Sequence, residues 1–189
     1  MTPTPPAPRE IWQEFHWAFF LYTQGLILCL KRFAFLLDAN RIDAARGELE
    51  TAAELMRASA TAMQLAGSFT REEYETDVRV SMTPPNVRSD GFSGLMSWEH
   101  GVLVNVWRNL RPRFADLPEA LAEAHEGFAR AYRDMAEGHV HVCSRFVGDG
   151  APSLRYDNRE ALISLRRFGE NRLATIDPNG VVPKLGEPT

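Results

Sequence analysis

Five histidines and two cysteines are the side chains of this 189-residue chain best suited to metal or redox chemistry. A carboxylate-bridged di-iron centre in a helical fold needs Glu-x-x-His on two helices. The residues three before His16, His100, His125, His139 and His141 are Gln13, Ser97, Ala122, Ala136 and Gly138, so none supplies that carboxylate. Cys29 and Cys143 sit far apart inside helical patterns, which suits neither a disulfide framework nor a Cys-based zinc site. The sequence contains no Gly-rich phosphate loop, no Gly-x-Ser-x-Gly elbow and no Cys-x-x-Cys.

His139 is the most informative histidine because it continues an apolar stripe of Leu121, Ala124, Phe128, Tyr132, Met135, Val142 and Phe146. At about 100° per residue Cys143 and Phe146 share its face, His141 lies about 200° round the helix and Arg145 about 240°. Two readings stay open. One is a core histidine bonded to a carbonyl; the other is an axial ligand to haem iron, which needs one neutral imidazole on a rigid helix in an apolar slot. Gly138, beside it, fits either.

The elements that must position these residues are helical. Hydrophobic residues make up 44 % and charged residues 24 %, ordinary globular composition for one domain. A net charge of −4 provides no broad positive field, which argues against nucleic acid as a partner. Residues 1–9 read as a Pro-rich disordered lead, 10–176 as one helical domain and 177–189 as a tail. The first helix runs from about Glu10 to Asp38 on a stripe of Ile11, Phe15, Phe19, Tyr22, Leu26, Leu30, Phe33 and Leu37. Leu21, Ile27, Leu28 and Phe35 add apolar residues on other faces, so this helix is expected to be central and covered on several sides. A second helix spans about Ile42 to Leu65 on a partly small-sided stripe of Ala45, Leu49, Ala52, Met56, Ala60 and Met63. Thr70 and Glu73 form a capping box for a short helix to about Val80. Pro84 and Pro85 mark a loop. The next helix begins after Ser97 and is expected to end near Leu110, before Pro112. Asp116, Pro118 and Glu119 start a long helix to about Phe146, and a last helix covers about Arg159 to Ala174. The apolar run Trp17 to Leu30 is broken by Thr23 and Gln24 and falls short of the roughly 18 residues of a membrane span. The expectation is a cytoplasmic protein in a reducing compartment, with no membrane partner.

A resemblance sharpens the histidine reading. The segment His139-Val140-His141-Val142-Cys143-Ser144-Arg145-Phe146-Val147-Gly148 resembles the stretch around the proximal haem histidine of tryptophan 2,3-dioxygenases, with Arg six residues on and an aliphatic residue and Gly eight and nine on. Phe19-Phe20-Leu21-Tyr22-Thr23-Gln24, with Leu28 and Lys31, is similar to that family's distal helix. Met82-Thr83-Pro84 looks like the Met-Thr-Pro before its carboxylate-binding arginine, and Ser89-Asp90-Gly91-Phe92-Ser93 looks like its Ala-Ser-Gly-Phe-Gln. The four stretches fall in family order over roughly residues 14 to 150. There are departures. Thr23 stands where the distal histidine belongs, the ammonium-binding loop is shortened to Gly148-Asp149-Gly150-Ala151-Pro152-Ser153, and Arg88 matches the arginine in order but not in spacing.

What the resemblance implies is an all-α helical bundle resembling the tryptophan 2,3-dioxygenase core, in the haem-dependent aromatic oxygenase superfamily. His139 would bind the iron of haem b, Cys143 would touch or bond a haem edge, and Arg145 would pair with a propionate. Thr23 would donate near the distal oxygen as the catalytic residue. Phe19 and Tyr22 would wall the substrate beside Thr23, and Arg79 or Arg88 would hold its carboxylate through two parallel donors. The implied reaction inserts oxygen from O₂ or peroxide into an aromatic amino acid or related indole or phenol, in secondary metabolism. The rival is a non-catalytic haem- or ligand-binding or interaction protein on the same scaffold. Apart from the resemblance, the short chain and apolar first helix are compatible with a homodimer, and the sequence leaves the oligomeric state open.

Overall fold

The structure, a computed structural model, describes residues 5–88, 97–147, 152–153 and 156–188. It is a helical bundle. Helix α1 (Pro8–Asp38) opens with Pro8 in its first turn, where the missing N–H costs nothing, and the Glu10 carboxylate accepts the Ala7 N–H at 2.9 Å. Asn40, in the left-handed region at φ 53°, turns the chain into α2 (Ile42–Ala66). The two helices pack antiparallel along most of their length.

Arg71–Glu73 forms α3, followed by a π-type turn at Tyr74–Val78 and α4 (Arg79–Ser81). The expected capping box is present: Thr70 Oγ1 accepts the Glu73 N–H at 3.2 Å, and Glu73 accepts the Thr70 N–H at 2.7 Å. Helix α5 (Trp98–Ala115) runs through Pro112 instead of stopping before it. Arg108, whose carbonyl Pro112 leaves without an amide donor, and Pro112 itself are both exposed, so water can serve that carbonyl. Beyond Pro112, Phe114 stacks on Phe33 at 5.9 Å and Arg113 grips Asp38 in a bidentate pair. Tertiary contacts therefore hold the last turn.

A 3₁₀ turn (Glu119–Leu121) leads into α6 (Ala122–Phe146), which lies beside α2. A short antiparallel pair, β1 (Pro152–Ser153) and β2 (Tyr156–Glu160), precedes α7 (Ala161–Ile176). Two glycines allow close approach, Gly67 to α6 and Gly169 to the segment after α7. A Cβ on Gly67 would lie 2.7 Å from Val142, and one on Gly169 would lie 2.8 Å from Leu185.

The expected tail is folded onto the bundle. The buried Asp177 carboxylate accepts the N–H groups of Val181 and Val182 at 3.0 and 2.9 Å. Val182 and Leu185 are thereby delivered into the core, and Arg133 donates to the Glu187 carbonyl at 2.8 Å. At the other end, residues 1–4 of the expected lead lie outside the described residues, and Pro8 and Arg9 belong to α1.

Helix α1 departs from the expectation that it is covered on several sides. Leu26, Ile27, Leu30, Phe33 and Leu36 are buried, but Trp17, Leu21, Leu28 and Phe35 are 63–70 % exposed. By length and composition α1 is apolar enough to cross a membrane, yet its inner face is built into the core of the bundle.

Candidate functional site

Helix α6 carries His125, Tyr132, His139 and Phe146 at seven-residue intervals, which places all four on one face. The two histidines meet different surroundings. His125 is buried, donates from Nε2 to the Ile176 carbonyl at 2.8 Å and stacks against Phe114 at 4.9 Å. Among the described residues no hydrogen-bond partner meets the His139 ring. Burial, reinforced by the positive charge of Arg172 and by His16, pushes its pKa down to about 4. The imidazole is therefore neutral at physiological pH, with a lone pair to offer.

Around His139 the chain gathers groups from four segments. Cys143 is one turn further on the same face, and burial pushes its thiol up to about 11, so it stays protonated. From α1, His16 stacks on Trp12 at 4.2 Å and hydrogen-bonds through Nδ1 to the Trp12 carbonyl at 2.7 Å. A carbonyl only accepts, so Nδ1 carries the proton and Nε2 keeps its lone pair. Burial lowers the His16 pKa, and the carbonyl bond offsets part of that. From α7, Arg172 reaches both His139 and Tyr132; burial pushes the Tyr132 phenol up to about 12. From the π-type turn, Tyr74 stacks on Phe146 at 4.9 Å and on Phe69 at 6.4 Å. Burial raises the Tyr74 pKa against the opposing pull of the nearby Arg79 guanidinium. Phe69, Val78, Val142 and Phe146 form an apolar cluster here, separate from the main core, with Trp12, Tyr74 and Met82 packed on it.

The residues expected to form the site are placed unevenly. Arg79 lies on the His139 end, at Tyr74, whereas Arg88 is exposed in the loop after α4. Phe19 and Tyr22 are half-buried on α1, and Phe19 meets Phe20 edge-on at 6.2 Å. Thr23 corrects the expectation of a distal donor. It is buried and its hydroxyl donates to the Phe19 carbonyl at 2.9 Å, so that proton is spent within its own helix. Arg145 is exposed, donates to the Phe69 carbonyl and lies 5.4 Å from the Phe146 ring centroid, tying α6 to the Phe69 turn. His141 is exposed, as its helical angle requires. Gly138 is not required by packing, since a Cβ there would meet only Gln64 Nε2 at 3.8 Å. Ser89 to Ser93 and residues 148–151 of the shortened loop lie outside the described residues.

Sequence reasoning missed three members of this end: His16, Tyr74 and Arg172. The four-residue step from Trp12 to His16 was a usable signal, because it puts an indole over an imidazole on one helix face. Tyr74 and Arg172 carry no local signal, since each joins the site only through packing of distant elements.

No group of three or more His, Cys, Asp or Glu side chains converges on a metal-sized site among the described residues. A neutral imidazole with no hydrogen-bond partner among the described residues suits a planar cofactor that brings its other ligands with it.

Comparison with known proteins gives the family of the chain. No solved structure matches the chain. A 3-methyl-L-tyrosine peroxygenase of Streptomyces lavendulae is 32 % identical over 194 residues, covering 98 % of this chain and 52 % of that protein. The chain thus spans about half the length of the curated relative it matches. The protein-family model for the SfmD 3-methyl-L-tyrosine peroxygenases matches residues 2–124, which include His16, Tyr74 and Arg79. A match over that share of the chain shows that it belongs to the SfmD 3-methyl-L-tyrosine peroxygenase family.

Proposed function

We propose that this chain is a haem-dependent peroxygenase of aromatic amino acids in secondary metabolism, working on a tyrosine-like phenol at the His139 end of the bundle. The observation that carries the reading is the His139 imidazole: half-buried, neutral, without a hydrogen-bond partner among the described residues, and one turn before Cys143. Resemblance to the tryptophan 2,3-dioxygenase region around the haem histidine supports the same cofactor. His139 would hold the iron of haem b, and Cys143 would pack on or bond an edge of the ring. Haem, when bound, supplies the activation of peroxide. The net change replaces an aromatic C–H by C–OH with one peroxide oxygen, and the other oxygen leaves as water.

The chain's own residues have definable parts. The Phe69, Phe146 and Tyr74 cluster would keep water from the Cys143 end of the face that carries His139. Arg172 places positive charge beside His139 and so disfavours its protonation, preserving the lone pair. His16 offers Nε2 as an acceptor, and its Trp12 bond fixes the tautomer in which that nitrogen can hold a phenolic proton. Arg79, rather than Arg88, is the carboxylate clamp, because it stands with Tyr74 on the side of the bundle that carries Cys143.

The test is product formation from 3-methyl-L-tyrosine, L-tyrosine and L-tryptophan with hydrogen peroxide, read by mass spectrometry. A gain of one oxygen on a tyrosine-like substrate is expected. Arg79→Ala should raise KM at least about tenfold with kcat little changed, the signature of lost uniform binding, while Arg88→Ala leaves both near parent values. No turnover by a haem-replete protein would favour the non-catalytic binder instead.

A further inference from the structure

Trp17, Leu21, Leu28 and Phe35 are the largest run of exposed apolar side chains on any one described helix, each 63–70 % exposed. At about 100° per residue all four fall within about 40° of one another, so they draw one stripe about 27 Å long down the outer side of α1. Together they expose roughly 500 Å² of apolar side chain, a size that marks an interaction surface. A stable protein interface takes roughly 800 Å² per partner, and the stripe would form its apolar centre.

Charge selects the occupant. Glu10 and Glu14 lie on the stripe before Trp17, and Lys31 and Arg32 lie on it or at its edge before Phe35, all of them exposed. One end is acidic and the other basic, so the stripe is complementary to itself when reversed. Arg32 is held at the margin by Glu48 at 2.7 Å, which leaves the apolar line clear. A membrane is a poorer fit. The inner side of α1 is committed to the core through Leu26, Leu30 and Phe33, so the helix cannot cross a bilayer with the bundle intact. Its acidic end would also repel an anionic surface.

We propose that a second copy of this chain docks on the Trp17–Leu21–Leu28–Phe35 stripe, the two α1 helices crossing antiparallel about a two-fold axis near Gln24 and Gly25. That axis sets Leu21 of one copy against Leu28 of the other and Trp17 opposite Arg32, with Glu14 about one helical turn from Lys31. The apolar surplus of α1, which its own bundle leaves uncovered, is then covered isologously. This inference rests on the outer face of α1 and does not depend on the cofactor reading.

Sedimentation velocity at about 10 μM, near the range where standard-size interfaces associate, tests it, with circular dichroism alongside. The parent is expected at twice the mass of the chain. Leu21→Glu/Leu28→Glu is expected at single mass with parental helicity. Glu14→Lys should weaken association at least about tenfold through like charges, and Glu14→Lys/Lys31→Glu should restore it. A parent of single mass overturns the proposal, including one that instead co-sediments with phosphatidylcholine vesicles. So does a dimer that survives Leu21→Glu/Leu28→Glu, or a charge swap that fails to restore association; the swap decides the matter should the double glutamate variant unfold.

Discussion

At the first turns of α6, His125 donates to the Ile176 carbonyl and lies against Phe114, which itself packs on Phe33 and Phe128. About four turns on, His139 meets no such donor or acceptor among the described residues, and its near neighbours are a cationic Arg172, a second neutral imidazole and a protonated thiol. The same residue type thus serves packing at one end of a helix and is held ready for a ligand at the other. The lesson concerns satisfaction rather than burial. A polar group shielded from water normally finds a partner, and where none of the described residues supplies one to the half-buried His139, the neutral lone pair is the clue to what belongs there.

The largest effect expected from breaking the packed end is on stability. Phe128 is fully buried against Phe114, and Phe128→Ala should cost about 3–5 kcal/mol in urea unfolding, as a cavity among large side chains that cannot collapse. A cost below about 1 kcal/mol would mean that this end is not the tightly packed one.

Acid should act through the other end. The folded chain binds a proton at His139 only near pH 4, while the unfolded chain binds it near 6.5, so between those values the unfolded state holds more protons. Stability of the cofactor-free protein is therefore full above about pH 6.5 and falls as the pH drops, by up to about 1.4 kcal/mol per unit from this group. His16, also lowered by burial, has the same sign. Replacing His139 with Leu should flatten the thermal melts across that window; an unchanged acid slope would contradict the assigned environment.

A smaller effect should follow at the cap that starts the Tyr74 turn. Thr70→Ala removes the hydroxyl that accepts the Glu73 N–H and should cost about 1 kcal/mol by denaturant titration. Because that cap sets the register from which Tyr74 reaches Phe146, the Tyr74 ring contacts should loosen with it, measurable as faster amide exchange over Tyr74–Val78.

Most of the helices were legible in the sequence because periodicity is a local property. The bounds of α1, α2 and α6 were read to within a few residues, and the Thr70–Glu73 cap was read outright. Pro112 misled because its effect is local while the forces that override it, Phe114 on Phe33 and Arg113 on Asp38, come from another helix. The 177–189 segment misled in the same way: Pro and Gly suggested a tail, yet Asp177 and Arg133 tie it down. In the site, His139 and Cys143 stood out through the face they share. Thr23 was read as a free hydroxyl because nothing in a sequence says whether a helical threonine bonds its own backbone. His16 and Arg172 could be found only once α1 and α7 were seen against α6.

The central claim is tested most directly by the visible spectrum of the protein after haem supplementation, compared among the parent, His139→Ala and His125→Ala. The account predicts a Soret band in the parent, its loss or shift in His139→Ala with little change in thermal stability, and its retention in a His125→Ala protein that melts several degrees lower. A parent that takes up no haem, or a His139→Ala spectrum identical to the parent's, would contradict it.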